Sequence, residues 1–60
     1  MVTIYVYNKE TKISKEIMTV SKKIALTMSK NIEEYFYDYS PLKHEIRLID
    51  SDSGEVLFVK

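Results

Sequence analysis

The chain has 60 residues, 27 of them apolar, with one glycine, one proline and no cysteine. That composition describes a single small folded domain over residues 1–60 and excludes a disordered tail, a disulfide framework and thiol chemistry. Nine basic and nine acidic side chains cancel, so the molecule lacks the strong positive field of a dedicated nucleic-acid binder.

A chain this short buries only about 60% of the surface its unfolded form exposes, which leaves a marginal core and little room for a deep substrate cleft. The charge is unevenly placed. Residues 1–30 carry six lysines against Glu10 and Glu16, whereas residues 31–60 carry Lys43, Arg47 and Lys60 against seven acids. No apolar run approaches the ~20 residues a membrane helix needs, and the apolar start lacks the basic region of a signal peptide. A soluble, cytoplasmic protein is expected.

In chain order, Val2, Ile4 and Val6 alternate with Thr3, Tyr5 and Tyr7, which predicts a strand with one aliphatic and one aromatic face. A polar break at Asn8-Lys9-Glu10-Thr11 precedes a second alternating stretch, Lys12 to Val20. A turn tip at Lys9-Glu10 sets Val6 against Ile13 and Val2 against Ile17. From Ser21 the period becomes helical: Ile24, Met28, Ile32, Tyr35, Phe36 and Tyr39 lie on one stripe. Thr19 or Ser21 is suited to cap the start, and Ser40-Pro41 ends the run. Lys22 and Lys23 near the start and Glu34 and Asp38 near the end oppose the helix dipole. These charges read as weak surface electrostatics without consequence; the structural alternative is a break near Ser29-Lys30-Asn31, where Asn31 and Glu34 have capping-box spacing. The last stretch reads as a hairpin, His44 to Ile49 and Glu55 to Val59 around Asp50-Ser-Asp-Ser-Gly54. It pairs Leu48 with Phe58, Ile49 with Leu57 and Arg47 with Val59.

The fold class expected is therefore α+β in the order ββαββ: two hairpins form a four-stranded sheet with one helix on one face. The alternative is βαββ, with residues 13–39 as one helix. That helix would span about 40 Å, twice the length of the strands it covers. In order and length the chain resembles the β-grasp arrangement of the small immunoglobulin-binding bacterial domains. The likeness is one of topology, covers the whole chain and rests on no shared motif. It implies that the two terminal strands are central and parallel, and it implies no function.

Residue inventory narrows the chemistry. One glycine makes neither a phosphate-binding loop nor a dinucleotide fingerprint, and no Cys or His pair stands at metal-ligand spacing. The segment Asp50 to Glu55 is a hairpin turn rather than a calcium loop, because its glycine falls one residue early and no bidentate Glu follows. His44 is the sole imidazole and reads as an exposed histidine at a strand start. Glu33, Glu34 and Asp38 read as a solvated helix face. No metal, cofactor or small-molecule substrate is indicated, and no enzymatic activity.

The informative feature is the sheet face that one helix leaves open. Tyr5, Tyr7, Arg47, Ile49, Leu57 and Val59 are expected there, residue types that suit a protein partner or a homodimer seam. The function expected is a small non-enzymatic interaction or regulatory module. The alternative is a single-stranded nucleic-acid-binding domain that stacks bases on Tyr5 and Tyr7 and neutralises phosphates with Lys12, Lys15, Lys22 and Lys23. The lysine- and serine-rich second strand is the expected sheet edge.

Overall fold

A computed structural model describes residues 1–60. Its elements are β1 (Val2–Asn8), β2 (Ile13–Val20), α1 (Lys22–Lys30), α2 (Ile32–Tyr35), β3 (His44–Asp50) and β4 (Val56–Val59). This is the expected α+β class with two hairpins and a helical layer between them, and residues 13–20 are a strand, which removes the long-helix alternative. The strand order is β2-β1-β3-β4, antiparallel throughout. The likeness to the β-grasp arrangement therefore stops at element order. β1 and β3 are central, and β4 is an outer strand instead of lying parallel beside β1.

Both hairpins turn by the same device. In the first, the Asn8 side-chain oxygen accepts from the N–H groups of Glu10 and Thr11, and Lys12 N–H donates to Asn8 O at 2.7 Å. In the second, Asp50 accepts from Asp52 and Ser53, and Gly54 N–H donates to Asp50 O at 2.8 Å. Each side-chain acceptor replaces a backbone turn bond, as Asn and Asp do in such loops. The fourth loop residue is left-handed in both, Lys12 at φ 60 and Gly54 at φ 77. A lysine thus stands where a glycine was expected, which is why the first turn is faint in the sequence.

Four-residue loops move both registers. Asn8 pairs with Ile13, Val6 with Lys15 and Val2 with Val20, in place of Val6 with Ile13 and Val2 with Ile17. A β-bulge opposite Ile4 and Tyr5 inserts Ile17 as an extra residue, so both Ile17 and Val20 pack against the core although their alternation conflicts. In the second hairpin Leu48 pairs with Phe58 and Arg47 with Val59 as expected. Ile49, however, pairs with Val56, because a second bulge takes up Leu57.

The core lies between the inner sheet face and the helices: Val2, Ile4, Val6, Ile46 and Leu48 against Ala25, Met28, Ile32 and Phe36. Ser21 is the cap, its hydroxyl accepting from Ile24 N–H at 3.3 Å. The buried stripe runs through Ala25, whereas Ile24 is 52% exposed. A small side chain facing the sheet lets the helix approach closely: Ala25 takes the place expected of Ile24, while Met28, Ile32, Phe36 and Tyr39 lie on the stripe as expected and Tyr35 is exposed. The helix breaks at Asn31, whose side-chain amide donates back to Thr27 O and makes no cap to Glu34 N–H; that N–H reaches Asn31 O instead. The break resolves the charge conflict at this point. Lys30 ends α1, and Glu33 and Glu34 open α2, the signs a helix dipole favours.

Candidate functional site

Both helices pack on the inner face, so the outer face carries no second layer. Three rows of side chains cross it. The central row runs Glu16, Tyr5, Arg47, Val59 across all four strands; one flanking row is Thr19, Thr3, Ile49, Val56, and the other is Ser14, Tyr7, Glu45. The Arg47 guanidinium carbon lies 4.3 Å from the centroid of the Tyr7 ring, and Arg47 Nε donates to Glu45 Oε1 at 3.1 Å. Such a stack contributes about 0.5–1 kcal/mol at a partly exposed site. The Thr3 and Thr19 hydroxyls approach to 3.4 Å. Thr3 is only 6% exposed, with no helix above it. Wide neighbouring side chains shield this face from within the monomer.

Of the residues expected on this face, Tyr5, Tyr7, Arg47, Ile49 and Val59 are brought together. Leu57 is not a simple member of the row: the bulge turns it to pack against the inner core cluster. Val56 takes the position opposite Ile49, a residue the alternation alone missed. The signal for it was present in Asp50, whose spacing to Gly54 repeats that of Asn8 to Lys12 and sets Asp50 against Glu55.

The four lysines are not brought together. Lys15 pairs with Val6 and lines an inner-face groove beside Ile17, on the side away from Tyr5 and Tyr7. Lys12 lies in the first turn, while Lys22 and Lys23 open α1 beyond the other end of β2, a strand of about 25 Å. Two side-chain ion pairs tie distant parts of the chain together. Lys43 meets Glu10 at 3.7 Å and Lys60 meets Glu33 at 3.6 Å. The Asp50 carboxyl is held below its ordinary pKa by the N–H groups of Asp52 and Ser53, with smaller help from the Met1 ammonium and Lys22.

A second feature lies at one end of the inner face. It lies beside the end of α2 and the loop that follows it. Two grooves open there. The larger, about 520 Å³, is lined by Ile32, Phe36, Tyr37, Tyr39, His44 and Ile46, with Glu33 and Lys60 at its rim. The smaller, about 220 Å³, lies over Val6, Ile13 and Ile17. Tyr39 and His44 form the wall between them, ring edge to ring face at 5.3 Å. His44 is half-buried rather than a free loop histidine. Its Nδ1 lies 3.2 Å from the Ser40 carbonyl oxygen, a contact in which the ring N–H donates. Sequence reading missed this groove because Phe36, Tyr37, Tyr39 and His44 belong to no single periodic element.

No helix is long and apolar enough to cross a membrane. Comparison with protein families, with characterised proteins and with solved structures finds no match to this chain.

Proposed function

We propose that the chain is a small non-enzymatic interaction module that engages a protein partner through its outer sheet face. The observation that carries this reading is the Arg47 guanidinium over the Tyr7 ring, in a row that crosses all four strands on the face no helix covers. Tyr and Arg dominate binding energy at interfaces because they combine large contact area with polar tips. Here both are already positioned, so a partner orders few side chains on docking. Tyr5, Tyr7, Arg47 and Ile49 form the centre of the surface, and Val56 and Val59 extend it to the β4 edge.

The test is a pull-down with the immobilised domain and its Tyr5→Glu and Val59→Glu variants, with thermal unfolding measured in parallel. Prey held by the wild type and lost by both variants, at unchanged melting temperature, is the expected result. Prey retained by both variants removes the outer face as the binding surface.

A further inference from the structure

We infer that the free edge of β2 is a second binding site, which takes an extended peptide as an added strand and favours one with acidic side chains at both ends. The site lies at the sheet edge and does not depend on the outer-face reading.

The edge is open along its whole length. β2 has eight residues and only β1 beside it. In an edge strand alternate residues turn their N–H and C=O groups outward. No backbone hydrogen bond ties residues 13–20 to a loop or a cap, so those outward groups have no partner within the chain. Ile13, Ser14, Lys15 and Glu16 are exposed, as are Met18 and Thr19. The bulge at Ile17 divides the edge into two runs, Ile13–Glu16 and Met18–Val20. The opposite edge is the poorer template, because β4 has four residues and follows an acid, Glu55.

The lysines at the two ends set the chemistry. Lys12 and Lys15 stand at the first run, and Lys22 and Lys23 follow the second. All four are exposed, and the ion pairs of the molecule use Lys43, Arg47, Lys60 and the N-terminal ammonium instead. Between the two lysine pairs lie about 25 Å of strand and one acid, Glu16. An extended peptide of about eight residues covers that distance, and acids at its two ends meet lysines whichever way it runs. The same charges exclude a second copy of the chain, since pairing β2 with β2 in either direction sets lysines against lysines. They also favour a peptide over a single-stranded nucleic acid. The span between them offers free backbone groups in place of an aromatic platform, for Tyr5 and Tyr7 lie on the outer face and Lys15 on the inner one. Main-chain pairing gives affinity, and the end charges give selection.

The test is fluorescence anisotropy with labelled peptides of about ten residues that share an alternating Val-Thr centre. One ends in glutamate pairs and one in lysine pairs. A third keeps the glutamates but is N-methylated at every central residue, which removes strand pairing and leaves the charge. The glutamate-ended peptide is expected to bind with a dissociation constant below about 1 mM, and the other two at least about tenfold more weakly. Lys15→Glu and Lys22→Glu, both checked for folding by circular dichroism, are each expected to weaken binding at least about fivefold. Lys30→Glu, the same charge change at the end of α1, is expected to weaken it less than about twofold. Bound peptide is expected to slow amide exchange in residues 13–20 and not in residues 56–59. No binding of the glutamate-ended peptide up to about 1 mM overturns the inference. So does equal binding of the N-methylated peptide, slowed exchange at 56–59 in place of 13–20, or Lys15→Glu and Lys22→Glu variants no weaker than Lys30→Glu. A single-stranded DNA of about ten nucleotides that binds more tightly than the peptide also overturns it, and assigns the lysines to nucleic acid. The outer-face reading stands or falls separately, with Tyr5 and Val59.

Discussion

The two faces of one sheet are built from the same strands and reach different ends. On the inner face, Val2, Ile4, Val6, Ile46 and Leu48 are buried under α1 and α2. On the outer face, Tyr5, Tyr7, Arg47 and Ile49 are half-buried with nothing above them. Shielding there comes from side chains lying along the sheet, such as Arg47 across Tyr7. The most exposed large apolar groups, Leu42 and Tyr37, belong to neither face's regular rows but to the loop where the helical layer runs out. A one-sided sheet thus leaves apolar surface in the loop beside its covering layer as well as on its open face.

The contrast is broken most severely at the inner face. Ile4 is fully buried, and Ile4→Ala is expected to cost about 2–5 kcal/mol through lost burial and the cavity left behind. In a 60-residue domain that is much of the total stability, and urea denaturation should show the midpoint collapse toward zero denaturant. A cost under about 1 kcal/mol would mean the helical layer repacks freely. On the outer face, Tyr7→Ala and Arg47→Ala are each expected to cost about 0.5–1.5 kcal/mol, with a coupling energy near 0.5–1 kcal/mol in the double-mutant cycle. Additive effects would show that the stack contributes nothing to holding that face together.

The two turns sharpen the comparison between the hairpins. Gly54→Ala is expected to destabilise by about 1 kcal/mol. The added methyl meets nothing within 4 Å, so the loss is conformational. Lys12→Gly is expected to stabilise by a similar or smaller amount, because the lysine already bears that left-handed strain. Equal and opposite shifts in melting temperature would confirm that both loops share one geometry; a destabilised Lys12→Gly would show that Lys12 is held by something other than the turn.

The smallest effect is the acid response of the second turn. The folded pKa of Asp50 is depressed by the N–H groups it accepts from. Its contribution to stability is therefore present above the unfolded carboxylate value and is lost as pH falls through the lower folded value. Asp50→Asn should flatten part of the decline in urea midpoint between about pH 5 and pH 2. Parallel declines in variant and wild type would exclude this carboxylate as a source.

Much of this was legible in one dimension. The alternation of Val2 to Tyr7 and of Ile46 to Ile49 defined two strands and the split between aliphatic and aromatic faces, and it grouped Tyr5, Tyr7, Arg47, Ile49 and Val59 correctly. The misplaced charges of residues 22–38 admitted a helix break near Asn31 only as an alternative to weak surface electrostatics, and the structure has the break. These features depend on neighbours a few residues apart, and local sterics and hydrogen bonding set them.

Other features required the chain to meet itself. Which strands pair depends on how β3 returns after the helices, and the choice of β1 beside β3 was not written in either strand. Register was set by two Asx-stabilised loops, one of them with a lysine in a glycine's conformation, and by bulges that turn Ile17 and Leu57 toward the core. The groove forms where the end of α2, the loop after it and β3 come together, with Tyr39 and His44 as its wall. Strand and helix identity follow from periodicity within the sequence, whereas the groove is built from residues of α2, a loop and β3 that are neighbours only once the layers are packed.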